Sequence, residues 1–102
     1  MSVCVEWVTT LHALSIDAGL SAFSGPGGFN DPDMLLTSTK GAVRKLGPTQ
    51  SRTQFSIWAV LASPIIISPD LRTLAEDHPD CLAMLKNKEL LAIAQDRLAK
   101  AG

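Results

Sequence analysis

Neither sign of charge is in excess in this 102-residue sequence. Nine lysines and arginines face ten aspartates and glutamates, for a formal net charge of −1. That balance removes the electrostatic reason to expect nucleic acid or an anionic membrane as a partner. Arg44 and Lys45 are the only adjacent basic pair, and a solvated loop accounts for them. Cysteine is scarce: Cys4 and Cys81 form no C-x-x-C pair, and neither His12 nor His78 completes a zinc-ligand spacing with them, so no metal site is expected. One disulfide between the two stays open, because sequence spacing alone does not bring thiols together. Long apolar runs are missing as well. The most apolar stretch, Phe55 to Ile67, covers 13 residues and contains Pro64, where a membrane-spanning helix needs roughly 20. It is expected to be a buried segment, with no membrane as partner. The first residues lack the basic flank and apolar core of a secretory signal.

What is present is globular composition, 46% hydrophobic and 19% charged, enough for one small domain. Val3, Trp7, Val8, Leu11 and Leu14 recur at three- and four-residue steps, which predicts an amphipathic helix over residues 3 to 15. After Gly19, Leu20 to Phe23 reads as a short extended segment. Residues 37 to 48 read as a surface loop with two glycines and a closing proline. Thr49 is placed to cap a helix whose face carries Phe55, Trp58, Ala59 and Ala62. Ile57, Val60 and Leu61 make that helix apolar nearly all round, and Pro64 stops it. Ile65, Ile66 and Ile67 then read as a buried strand, the pattern of a parallel sheet covered by helices. From about Pro79 to Gln95 a helical stretch, broken or continuous, points Leu82, Leu85, Leu90 and Ile93 inward. Helix, strand, turn, helix, strand, helix is α/β order. Yet so few elements cannot cover the isoleucines on both sides, so the chain reads as a piece of a larger α/β protein.

The chemistry is concentrated in "SGPGGFNDPDMLL", residues 24 to 36. Pro26 and the surrounding glycines make a stiff turn, followed by Asp31 and Asp33. Paired carboxylates suggest a glycosidase, in which retaining enzymes hold two carboxyl groups roughly 5–5.5 Å apart across the scissile bond. Residues two apart share one wall, however, and do not flank a sugar from both sides. Counting from Asp31, a calcium loop would need glycine at Leu36 and glutamate at Ala42, and both fail. No lysine follows the glycines in phosphate-loop fashion. Two readings stay open: Asn30, Asp31 and Asp33 satisfy backbone donors in a tight turn, or the turn holds a carboxylate at a pocket mouth beyond a strand. His12 and His78 read as a surface or packing residue and a loop or helix-start residue. Trp58 and Met84 read as core, and Asp70 with Arg72 as a weak local ion pair.

Three blocks then carry a family resemblance. "GPGGFNDPDML" resembles the G-P-G-G-W-N-D-P-D-M-L signature of the α-galactosidases and α-N-acetylgalactosaminidases, glycoside hydrolase family 27. "RTQFSIWAVLASPIIISPDLR", residues 52 to 72, resembles the helix and strand after that signature. "NKELLAIAQD", residues 87 to 96, is similar to the family's N-K-E-V-I-A-I-N-Q-D. Together they cover roughly residues 20 to 98.

The resemblance implies a (β/α)8 barrel, the TIM-barrel fold, followed by a β-sandwich. Barrels of this type take about 250 residues, so this chain would supply about the last two βα units. Residues 1–98 would be barrel and 99–102 the start of a linker toward the sandwich. Residues 3 to 15 would be the sixth helix, and Leu20 to Asp33 the seventh strand with its loop. Residues 50 to 62 would be the seventh helix and 64 to 68 the eighth strand. The implied activity is retaining exo-hydrolysis of terminal α-linked galactose, with no cofactor and no metal. The nucleophile and acid/base aspartates of the family fall on neither Asp31 nor Asp33 and are expected upstream of Met1, which leaves this chain inactive alone. Met34, Asp33 and Asp31 match the family's substrate-pocket residues. An α-N-acetylgalactosaminidase and a non-catalytic sugar-binding or structural remnant are the alternatives. The family is often secreted or lysosomal, and the resemblance allows a homodimer of the full-length protein. Phe29 in place of tryptophan, the loop from Thr37 to Pro48, and Ala94 and Arg97 in place of asparagine and proline depart from the pattern.

Overall fold

A computed structural model describes residues 3–36 and 46–101, with backbone alone for residues 3–6. The expected surface loop therefore lies mostly outside the described residues, as does the side chain of Cys4. Helix α1 runs Val3–Gly19, α2 Pro48–Val60, α3 Leu74–Asp77, α4 Pro79–Leu85 and α5 Lys88–Ala94.

Helix α2 is the centre of the molecule. Pro48 occupies its first position, where a missing N–H costs nothing. The cap is Gly47 and not Thr49: the Gln50 side chain reaches back to accept the Gly47 N–H at 3.0 Å. The other end is a Schellman stop, with Ala62 N–H on Ala59 C=O at 3.1 Å and Ser63 N–H on Trp58 C=O at 3.1 Å. Ala62 takes the left-handed φ of 54° that this stop requires. Pro64 follows, as expected. Phe55, Trp58 and Ala59 are buried, and with Leu35 they make the core, against which Ile57, Ile65, Ile67, Met84, Leu85 and Leu90 pack.

Two expectations about faces need correction. Val8 and Leu11 on α1 are 58% and 42% exposed, and Ile93 on α5 is also open to solvent. Apolar periodicity predicts that a helix has an oily side but not that anything covers it. Likewise α2 is not enclosed all round, since Val60 is exposed.

The extended segments also differ from expectation. Leu20 to Phe23 is not a strand: Ser21–Phe23 form a single 3-10 turn, closed by Phe23 N–H on Leu20 C=O and Ser24 N–H on Ser21 C=O. With no ladder partner among the described residues, these residues make turn hydrogen bonds in place of strand pairing. The only parallel pairing among the described residues is a bridge between Leu35 and Ile67, with Leu35 N–H on Ile66 C=O at 2.8 Å. The extended backbone thus lies at Leu35, after the aspartates, and not before the glycine turn. No sheet of named strands forms among the described residues. The helical stretch toward the C-terminus is broken, because Asn87 caps a new helix by accepting the Glu89 and Leu90 N–H groups at 3.0 and 3.2 Å.

Candidate functional site

The glycine turn closes as two residues between paired strands of backbone. Gly25 and Gly28 exchange two hydrogen bonds of 3.0 Å, and Pro26 and Gly27 occupy the corner. Proline at the first corner position and a φ of +96° at Gly27 are the requirements of a type II turn. Asn30 donates from Nδ2 to the Leu20 carbonyl at 2.8 Å, tying the far side of this loop to the end of α1.

The aspartates organise the next four residues. Asp31 Oδ1 accepts the Asp33 N–H at 2.9 Å, an Asx turn across the buried Pro32. Asp33 has φ 78°, and its Oδ1 accepts the following Met34 N–H at 2.7 Å. Aspartate tolerates that left-handed region better than most residues because its short acceptor bonds locally. Both carboxylates therefore serve the backbone, as the first of the two open readings holds.

Beyond the turn, α2 grips the chain with two side chains. Trp58 Nε1 donates to the Asp33 carbonyl at 2.9 Å, and Gln54 Oε1 accepts the Leu36 N–H at 3.0 Å. Ser68 donates to the Leu35 carbonyl from the other side. Gln54 is 1% exposed, a buried amide in an apolar helix face, and sequence reasoning passed over it. Trp58 lies in the core, as its place on the apolar face of α2 predicts. Its indole N–H makes it also the post to which the Asp33 peptide is tied. Asp31, Asp33 and Met34 are all exposed at their side chains.

Asp31 and Asp33 meet at a shallow pocket of about 260 Å³ whose remaining wall is Ala13, Ile16, Asp17 and Pro32. Met34 does not line it. Asp17 was not anticipated. It lies in the last turn of α1, which carries no basic residue to offset it, and it is buried with Oδ2 lacking a partner. Burial first, and the Asp31 charge second, hold its carboxyl above the ordinary aspartate range. The partial negative charge at a helix C-terminus acts in the same direction. Folded Asp17 thus keeps its proton to higher pH than in the unfolded chain, where it titrates near about 3.9. Its contribution to stability is most favourable below that value and is lost as pH rises through the raised one.

A larger cleft of about 730 Å³ lies between the start of α2 and α4, lined by Arg52, His78, Cys81, Met84 and Asn87 among others. None of the expected site residues reaches it. Asp70 and Arg72 form their ion pair at 2.8 Å, with Arg72 almost fully exposed, so it adds little. Among the described residues no cluster of histidine, cysteine and carboxylate could hold a metal ion, and no helix is long and apolar enough to cross a membrane.

Comparison with known proteins decides the lineage. The melibiase family described as alpha galactosidase A matches residues 2–96. The chain belongs to this family. It is 43% identical to human alpha-galactosidase A over 79 residues, covering 78% of this chain and 17% of that one. It is 40% identical to chicken (Gallus gallus) alpha-N-acetylgalactosaminidase over 98 residues, 96% of this chain and 21% of the other. A crystal structure from Bacteroides fragilis, assigned provisionally as an alpha-galactosidase/melibiase, superposes with a TM-score of 0.79 at 34% identity, over 90% of this chain and 21% of that one. The chain therefore spans about a fifth of the length of these relatives.

Proposed function

We propose that this chain is the part of a retaining α-galactosidase barrel that supplies one wall of the sugar pocket. The observation that carries the reading is the pinning of the backbone at Asp33 by Trp58 and at Leu36 by Gln54, within a chain matched to the family over residues 2–96. Residues 1–98 act as about the last two βα units and 99–102 as the start of a linker. The parallel Leu35–Ile67 bridge supports this, because neighbouring barrel strands pair in parallel. Leu35 and Ile67 then belong to successive strands.

In this reading Met34 packs against the sugar while Asp33 and Asp31 accept hydrogen bonds and set the charge of the wall. The two reacting carboxylates come from the remaining length of the protein, so the chain is inactive alone. Completed, the site works by double displacement through a covalent glycosyl intermediate on terminal α-linked galactose. A second reading, α-N-acetylgalactosaminide as substrate, is favoured by the 40% identity to the chicken enzyme over nearly the whole chain.

Chromogenic α-galactoside and α-N-acetylgalactosaminide assayed on the full-length gene product separate the two. Asp33→Asn in that protein is expected to lower kcat at least tenfold, about 1.4 kcal/mol of lost transition-state stabilisation, with an unchanged circular dichroism spectrum. Unaltered kinetics would remove Asp33 from the pocket.

A further inference from the structure

The carboxyl of Asp17 is not used by the proposed chemistry, yet it sits behind the turn that chemistry depends on. Three observations bear on it. The residue is 7% exposed, and its Oδ2 is enclosed with no partner among the described residues. It shares a pocket of about 260 Å³ with Asp31 and Asp33, large enough for one water, whose partners there would be the three carboxyl groups. It is also placed in the last turn of α1, where an anion is disfavoured by the helix carbonyls. A buried carboxyl that holds its proton has an O–H to donate, and the acceptors facing it across this pocket are carboxylates.

We propose that Asp17 is a positioning residue for the Asp31–Met34 turn: its carboxyl reaches Asp31 across the shared pocket through one bridging water and so orients the carboxylate that holds the Asp33 amide. Asp31 Oδ1 already accepts that amide, and a second donor on the same carboxylate fixes its rotamer. The left-handed Asp33 backbone, tied by its carbonyl to Trp58, is then anchored at its N–H as well as at its C=O. When Asp17 ionises, the donor is lost and two like charges face each other, so the Asx turn loosens. Among the described residues, the charged groups that line the pocket with Asp17 are Asp31 and Asp33. Ser21–Phe23 carry none, and the one titratable residue of α2, Arg52, lines the other cleft. The functional meaning of this device rests on the sugar-pocket reading of the turn.

The test uses the full-length gene product without sugar, with aspartate labelled for NMR. Carboxyl and amide NMR are followed through a pH titration. Asp17 is expected to titrate above the ordinary aspartate value, and the Asp33 amide proton to shift with the same midpoint. Asp17→Asn, which keeps a donor and cannot ionise, should hold the Asp33 amide at its low-pH position throughout. Asp17→Ala should speed exchange of that amide roughly fivefold, the effect of one weakened hydrogen bond. An Asp17 that titrates at the ordinary value, an Asp33 amide that follows only Asp31, or Asn and Ala variants that behave alike would each overturn the proposal. Since wild-type titration needs no variant, a substitution that fails to fold does not shield it. An inactive full-length enzyme with this coupling intact would instead count against the sugar-pocket reading alone.

Discussion

The two sides of the Asp31–Met34 turn are built on different terms. On the α2 side, Leu35, Phe55 and Trp58 are buried almost completely, and the backbone polar groups of Asp33, Leu35 and Leu36 are taken up by Trp58, Ser68 and Gln54. On the α1 side, Val8, Leu11, Ile16, Leu20 and Phe23 are all exposed, and Phe23 is 79% so. In sequence the α1 side is the more apolar of the two. The contrast teaches that the chain carries its own support for the turn's inner face, while its outer helix presents a surface that no described residue covers. A run of exposed large apolar residues of this kind marks a contact surface more often than a solvated one. Relatives about five times longer have the chain to cover it.

That contrast can be broken at its strong side first. Trp58→Ala removes the largest buried side chain and the donor to the Asp33 carbonyl together. The expected loss is about 3–5 kcal/mol, enough to abolish a cooperative denaturation transition in a chain of this size. Trp58→Phe, which keeps most of the ring and loses the N–H, should cost about 1–2 kcal/mol, chiefly for the orphaned carbonyl. If the two variants melt alike, volume alone accounts for Trp58 and the peptide tie contributes nothing. Gln54→Leu is gentler on volume. It leaves the half-buried Leu36 N–H without an acceptor and should cost about 1–3 kcal/mol by urea denaturation, with the Leu36 amide showing the largest chemical-shift change.

Much of this arrangement was legible from residues alone, for physical reasons that differ from place to place. The glycine turn was readable because Pro26 and Gly27 leave the backbone little choice. So were the stop of α2 before Pro64 and the burial of Phe55 and Trp58. The cap was misplaced onto Thr49 because a side-chain rule was applied where Pro48 and Gln50 supply the signal. The extended segment was assigned to Leu20–Phe23, since an apolar run beside a glycine break looks alike whether or not a partner exists. Pairing decides between strand and turn, and Leu35 pairs with Ile67 across a separation no local pattern encodes. At the site, Asp31, Asp33 and Met34 stood out by motif. Asp17 and Gln54 did not, because a polar residue within a helix declares itself only when the structure shows that it is buried.

The weak side offers the smallest effect and the sharpest control. Phe23 lies in the 3-10 turn after α1 with most of its ring in solvent. Phe23→Ser removes almost no buried area from this chain, so its urea midpoint should move by the equivalent of less than about 0.5 kcal/mol. If the α1 face is a contact surface in the full-length protein, the same substitution there exposes an unpaired hydroxyl at a packed site and should cost about 3 kcal/mol or more. The ratio of the two losses measures what the rest of the protein contributes to this face. Equal small losses in both would mean that Phe23 is solvated in the whole protein as well, and the two sides of the turn would then differ in packing without differing in role.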